Sequence, residues 1–429
     1  MKRHLVVKLR HRLPEPVPYW VTFIGDKSVE VLSLTRAVDA VLHQAGLEFW
    51  VTSEYQPAGA EWAEVERHHG LDRTYRLVLS TDASVSTEVV AAVAALPEVE
   101  SAHQLDVAGS PVAPPRLAVA ASVGGQRAEL TGLDFAHALT RGRSDVTVAV
   151  LDTGVNLAHP ELRGKVVARA DFVDLEGLDT AGFIGDTLGY DEDPEDELGH
   201  GTHVAGIVAG EGRGMDPGVA PGCRLMAVRV LATLRDGDTV QGAGVVDNIN
   251  PAIKWAVDQG ADVINMSLGI RHTGGGLPHA DVIRYALARG VTVVAASGND
   301  GTDTKYYPGA LPGVIAVGAV DDDGSVASFT SWGAPITVVA PGVNVLSSYA
   351  RGTYAVASGT SQAAPFVSGS VALMKSLARD HGHDLPATAV VHLLRETSDR
   401  VDRRPRSPHA GYGLVNLTDS FKWLLGSLN

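Results

Sequence analysis

Residues 146–152 read VTVAVLD, a nearly unbroken apolar run that stops on a carboxylate. Such a run is too short for a buried helix. It carries no polar alternation, so it predicts a strand covered on both faces. Four more runs of the same kind follow: LMAVRVL (225–231), DVINMSLG (262–269), VTVVAASGN (291–299) and VIAVGAV (314–320). Helical patterns separate them. Apolar strands alternating with helices predict a mainly parallel sheet between two helical layers, a three-layer α/β/α architecture.

Working back toward the N-terminus, the stretch AGSPVAPPR (108–116) has the Pro and Gly content of a linker. Ahead of it the expected order is strand 4–9, helix 34–45, strand 47–52, strand 75–80, helix 86–97 and strand 99–107. That order predicts a small ferredoxin-like α/β plait of the split βαβ type. The expected division is a plait over 1–108, a linker over 109–128 and the three-layer domain over 129–429.

A formal charge of −15 lacks the basic footprint that phosphate neutralisation needs, so nucleic acid is not an expected partner. No run approaches the length of a membrane span. The opening MKRHLVVKLRHRLPEP has only three consecutive apolar residues before Lys8, too few for a secretory signal. The expectation is cytoplasmic for the chain as it stands, and secreted if a leader has been removed. The single cysteine, Cys223, excludes an internal disulfide and reads as a small buried hydrophobe.

Open α/β sheets build their sites at the carboxyl ends of their strands. Asp152 ends the first strand, where burial would be costly without a partner. HGTHVAGIVAG (200–210) predicts a helix with His200 at its entrance and His203 one turn in, and with Gly206 and Gly210 on one face for close approach of another element. Two histidines three apart suggest zinc, but no HExxH pattern accompanies them, and a base at the helix entrance is the better reading. Gly298-Asn299 at another strand end offers a side-chain amide to a cleft. In GTSQAAP (359–365), Ser361 begins a helix whose N–H groups and dipole favour an anion, and Pro365 falls in or next to the first turn. Each motif alone reads as a turn or a helix cap; together they make a set.

That set resembles the subtilisin-like serine peptidases. VAVLDTGV, GHGTHVAGIVAG, GVAPGCRLMAVRVL, VINMSLG, ASGN and GTSQAAPFVSG match that family's motifs in order over about residues 130–420. The resemblance implies a serine endopeptidase acting on proteins or peptides, with Ser361 as nucleophile, His200 as base, Asp152 as its orienting carboxylate, and Asn299 with the Ser361 N–H as the oxyanion hole. It implies that Ser267, Leu268 and Gly269 receive an extended substrate by main-chain bonds, and that with Ala296, Ser297 and Gly298 they wall the pocket for the residue before the cut. It requires no cofactor for the chemistry and leaves room for structural calcium, although no matching loop is evident and no metal ligands are assigned.

The match departs from the family at Gln362 and Phe366, where Met and His are common. The plait resembles, by order and position, the pro-domain that folds and inhibits many subtilisins. The expectation is a zymogen held by its own N-terminal domain, with the strand at 98–108 leading into the cleft. The rival for the plait is a partner-recruiting module that is never removed. The rival for the whole chain is a silent subtilase fold that binds peptides or partners. Seven acidic residues in 186–197 read as a solvated loop, as carboxylates for calcium, or, through Asp196 and Glu197, as a preference for basic residues upstream of the cut.

Overall fold

The computed structural model of the chain describes residues 4–80, 85–104, 107–110, 116–118, 125–174, 182–186, 191–236, 239–271 and 277–428. Its centre is a seven-stranded sheet. In spatial order the strands are Ile336–Pro341, Ile315–Val320, Thr292–Ala296, Val263–Met266, Thr147–Asp152, Arg224–Arg229 and Val166–Asp171. Every pairing in it is parallel.

The apolar runs explain the layers. Val148 and Val150 face one hydrophobic cluster while Ala149 and Leu151 face another, as strand alternation requires. Helices His200–Ala209, Thr360–Asp380, Ala387–Thr397 and Leu417–Leu428 cover the first face. Helices Val246–Asp258 and Ala280–Ala288 cover the second. Burying a Val or Leu contributes about 1.5–3 kcal/mol on either face, so apolar area alone does not fix register. Asp152 helps to fix it, because a slip of one residue would draw its carboxylate into the sheet.

Two strands of this sheet, Val166–Asp171 and Ile336–Pro341, lie outside the five expected runs. The first is an edge with alternating burial and charge. The expected strand 262–269 ends at Met266, and Ile270–Arg271 instead pairs antiparallel with Tyr306–Tyr307.

The N-terminal strands His4–Leu9, Phe49–Ser53, Thr74–Leu79 and Val99–Gln104 form a separate antiparallel sheet in the order second, third, first, fourth. Helices Arg36–Gln44 and Thr87–Ala94 pack on one face, around Leu5, Val7, Leu77 and Val93. The other face carries His4, Lys8 and Arg76, and it is buried against helices Val246–Asp258 and Ala280–Ala288. Arg76 pairs with Glu54 and donates to the Asp247 carbonyl at 2.8 Å and to Asn248 Oδ1 at 3.0 Å. Asp247 takes His4 on one oxygen and His103 on the other.

Residues 109–128 differ from a bare linker. Val107–Ser110 pairs antiparallel with Thr239–Val245, Arg116–Ala118 pairs with Tyr354–Ala357, and a helix spans Gly125–Thr131. The expected strand 99–107 is two strands: Val99–Gln104 belongs to the N-terminal sheet and Val107–Ser110 to a different one, with residues 105–106 outside the described residues. Cys223 is buried, and burial pushes its thiol up to about 11, in keeping with a structural role.

Candidate active site

Asp152 lies fully buried at its strand end, and its Oδ1 accepts from His200 Nδ1 at 2.6 Å and from the Thr153 amide at 2.7 Å. His200 is the first residue of its helix. The helix reaches the strand because Gly201 has no side chain: a Cβ there would fall 2.1 Å from the Gly154 carbonyl and 3.0 Å from Asp152 Cβ. Burial opposes charge on His200, but the Asp152 charge and hydrogen bond, with Asp196 beyond, outweigh it and raise its pKa.

Asp196 holds this corner together. Its Oδ1 accepts from Thr153 Oγ1 at 2.8 Å and from the Gly199 amide at 2.7 Å, and its Oδ2 from the Thr202 amide and hydroxyl at 2.8 and 2.6 Å. Both oxygens are used within the fold. Glu197 turns to Arg229 and the Asp186 amide. The expected attraction of basic substrate residues by Asp196 and Glu197 is thus corrected: the first is a buried tie between Asp152's strand and His200's helix, a role that a carboxylate near a helix N-terminus performs well.

His203 stands apart from this set. Its Nε2 is bonded to the carbonyls of Val345 and Ala355, and burial, helped by the His200 charge, pushes it down to about 3. It braces the strand Val345–Ser348, whose Ser347 and Ser348 hydroxyls approach where a Cβ on Gly206 would collide at 2.4 and 2.3 Å. The close approach expected at Gly206 is present.

Ser361 is the second residue of helix Thr360–Asp380 and 6% exposed. Pro365 has no amide for the Ser361 carbonyl, and Ser267 Oγ donates to that carbonyl at 2.9 Å instead. Ser361 Oγ donates to the Ser267 carbonyl at 3.2 Å, while His200 Nε2 has no hydrogen-bond partner among the described residues. Asn299 Oδ1 accepts from the Thr360 amide and hydroxyl, both at 2.9 Å. With its oxygen so occupied, the Asn299 amide nitrogen is the end left for the cleft.

The expected wall residues divide in two. Ala296, Ser297 and Gly298 lie at one strand end, and Ser267 and Gly269 follow the neighbouring strand. Leu268 offers only backbone, since its side chain packs into the cluster with Ile249 and Ile283. Sequence reading missed Thr360, Asp196 as a tie, and the strand Thr239–Val245. That strand contains Gly242 and Gly244, and a glycine within a strand is the available signal of close backbone approach.

Among the described residues no group of three or more His, Cys, Asp or Glu is arranged to hold a metal ion. Glu161, a buried carboxylate, is satisfied by the amides of Gly212, Arg213 and Gly214 and by the Tyr354 hydroxyl. A loop that turns N–H groups toward a carboxylate does not fit a cation there. Part of the acidic run, residues 187–190, lies outside the described residues.

A parallel sheet whose strand ends carry a bonded Asp–His pair and an amide side chain, beside a helix that opens on a serine, is an arrangement of the subtilase class. The chain belongs to the subtilase family: residues 143–413 match it. It is 38% identical over 288 residues, 67% of this chain and 64% of the other, to the thermophilic serine proteinase of Bacillus sp. (strain AK1). It is 36% identical over 260 residues, 60% of this chain and 82% of the other, to thermitase of Thermoactinomyces vulgaris. The chain thus spans just under two thirds of the length of the first of these relatives. Among solved structures it is similar to the prenylagaramide maturation protease PagA, with a TM-score of 0.57 and 30% identity over 69% of this chain and 99% of that one. No helix of the described residues is long and apolar enough to cross a membrane.

Proposed function

We propose that the chain hydrolyses peptide bonds in proteins or peptides, with Ser361 as nucleophile, His200 as base and Asp152 as the group that orients and charges the imidazole. Ser361 Oγ attacks the carbonyl carbon as its proton passes to His200 Nε2. The oxyanion is held by Asn299 Nδ2 and the Ser361 N–H. His200 returns the proton to the leaving amine, and water then releases the acyl group by the same path. The observation that carries this reading is the 2.6 Å bond between His200 Nδ1 and Asp152 Oδ1, which leaves Nε2 as the basic end. The Ser361 hydroxyl rests on the Ser267 carbonyl, and resting hydrolases commonly tighten the serine–histidine bond only with substrate.

The plait is read as an intramolecular inhibitor. The strand Val107–Ser110 supports this reading: it adds itself to Thr239–Val245 and approaches Ile270–Arg271 in the manner of a peptide received by main-chain bonds. Gly242 on that edge is next to Thr153, neighbour of Asp152.

Labelling by a serine-directed fluorophosphonate, compared with Ser361→Ala, tests the nucleophile. Intact mass of the two proteins after incubation at neutral pH tests the inhibitor: loss of about a quarter of the chain in wild type alone supports self-removal. Labelling without mass loss favours a permanently attached plait. Absence of labelling favours the silent binding protein.

A further inference from the structure

Two walls diverge from the nucleophile. Ser267 is bonded to Ser361 and leads to Gly269, while Gly298 donates to Thr360 Oγ1 at 3.3 Å. A peptide acylated on Ser361 must send the side chain of its last residue between them. That space is already occupied. A Cβ built on Gly269 would lie 3.2 Å from Tyr306 Cδ1, and one built on Gly298 would lie 2.3 Å from Tyr306 Cδ2 and 2.6 Å from Cε2. One edge of the Tyr306 ring therefore faces each glycine: a Cβ at Gly298 would collide with the ring, and one at Gly269 would crowd it.

The ring is braced at its far end. Tyr306 Oη donates to Asp300 Oδ2 at 2.6 Å and accepts from Arg271 Nε at 2.9 Å, and Arg271 and Asp300 form an ion pair across it. The Arg271 guanidinium also lies 5.6 Å from the ring centroid. At the backbone, Tyr306 is the antiparallel partner of Arg271. Swinging the ring out of the walls would break two charge-assisted hydrogen bonds.

We propose that Tyr306 determines specificity by filling the pocket for the residue before the scissile bond, so that the chain cleaves after small uncharged residues such as Gly, Ala and Ser and rejects aromatic and long side chains. The inference rests on the peptidase reading above. It also denies that pocket a free acidic end, since Asp300 is spent on Tyr306 and Arg271. The chain's own segment after the plait, AGSPVA (108–113), offers small residues of this kind.

The test uses the full chain and matched peptides that differ only in Ala or Phe before the cut. Wild type is expected to favour Ala by at least about tenfold in kcat/KM. Tyr306→Ala is expected to lose or reverse that ratio, chiefly through a gain of at least about tenfold in kcat/KM on the Phe peptide. Wild type cutting the Phe peptide as fast as the Ala peptide overturns the proposal, whatever the variant does. An unchanged ratio in a Tyr306→Ala protein that still labels with fluorophosphonate overturns it too. Wild type that neither labels nor cuts overturns the peptidase reading itself, and this inference falls with it.

Discussion

Ser267 and Ser361 exchange hydrogen bonds in both directions: Ser267 Oγ to the Ser361 carbonyl at 2.9 Å, and Ser361 Oγ to the Ser267 carbonyl at 3.2 Å. The first replaces the helical bond that Pro365 cannot make. It continues inward, since Asn265 Nδ2 donates to Ser267 Oγ and Ser368 Oγ donates to Asn265 Oδ1. The start of Ser361's helix is thereby tied to the end of the central strand Val263–Met266 by side chains, not by ladder bonds.

Ser267→Ala should therefore leave a buried carbonyl and a buried amide short of partners. The expected loss is about 1–3 kcal/mol of stability, with kcat falling further than KM rises. Thermal unfolding beside steady-state kinetics checks both, and an unchanged melting temperature refutes the tie.

Asn299→Ala removes the proposed oxyanion donor. The expected loss in kcat is about 100- to 1000-fold, a magnitude known from a subtilisin, with KM nearly unchanged. Because Asn299 Oδ1 also holds Thr360, Asn299→Asp keeps that acceptor and loses the donor, and it should be no better than the alanine variant.

In the proposed mechanism, the raised pKa of His200 sets the acid limb of activity. The base must be neutral, so kcat/KM should rise with pH through a value above the ordinary histidine range of about 6.5. For stability the sign is opposite: the His200–Asp152 pair contributes fully below the unfolded pKa and is lost as pH rises through the folded one. Asp152→Asn should move the limb downward while lowering its height, and a pH–rate profile of both proteins reads this out.

Glu161 gives a metal test. Burial raises its pKa, but the amides of Gly214, Arg213 and Gly212 and the Tyr354 hydroxyl outweigh that and lower it. Its contribution is present above the unfolded pKa of about 4.3 and is lost as pH falls through the folded value. Glu161→Gln should melt below wild type at pH 7, the gap should close in acid, and neither chelator nor added calcium should alter it. A gap that calcium abolishes would restore a cation to this loop.

The positions of Asp152, His200, Asn299 and Ser361 at strand ends and helix starts were legible because each ends or begins an element whose apolar pattern is strong. Tyr306 was not legible. Its strand pairing covers two residues, a register no periodicity announces, and its neighbours are glycines whose purpose appears only when the ring is seen between them. The order of elements along the N-terminal region follows from its pattern, but the second face of its sheet misleads. In HLVVKL, His4 and Lys8 alternate with Leu5 and Val7 as a wetted face would, yet every residue of the strand is buried. Charge signals solvent only until a partner supplies the opposite charge, as Asp247 and Asp281 do here.

That charged face also governs what separation would leave behind. Lys254, joined to Glu66 of the plait and to Asp258, would keep one acid when the other departs, and Asp247 and Asp281 would meet water as ordinary ions. Among the described residues, the plait's apolar contribution to the cluster beneath helices Val246–Asp258 and Ala280–Ala288 comes from Tyr55, Leu71, Trp62 and Val65. The ionic part of that seam gains hydration as it opens, while the patch under Tyr55 and Leu71 would be left bare, so the exposed helices would present charge and a small apolar area side by side.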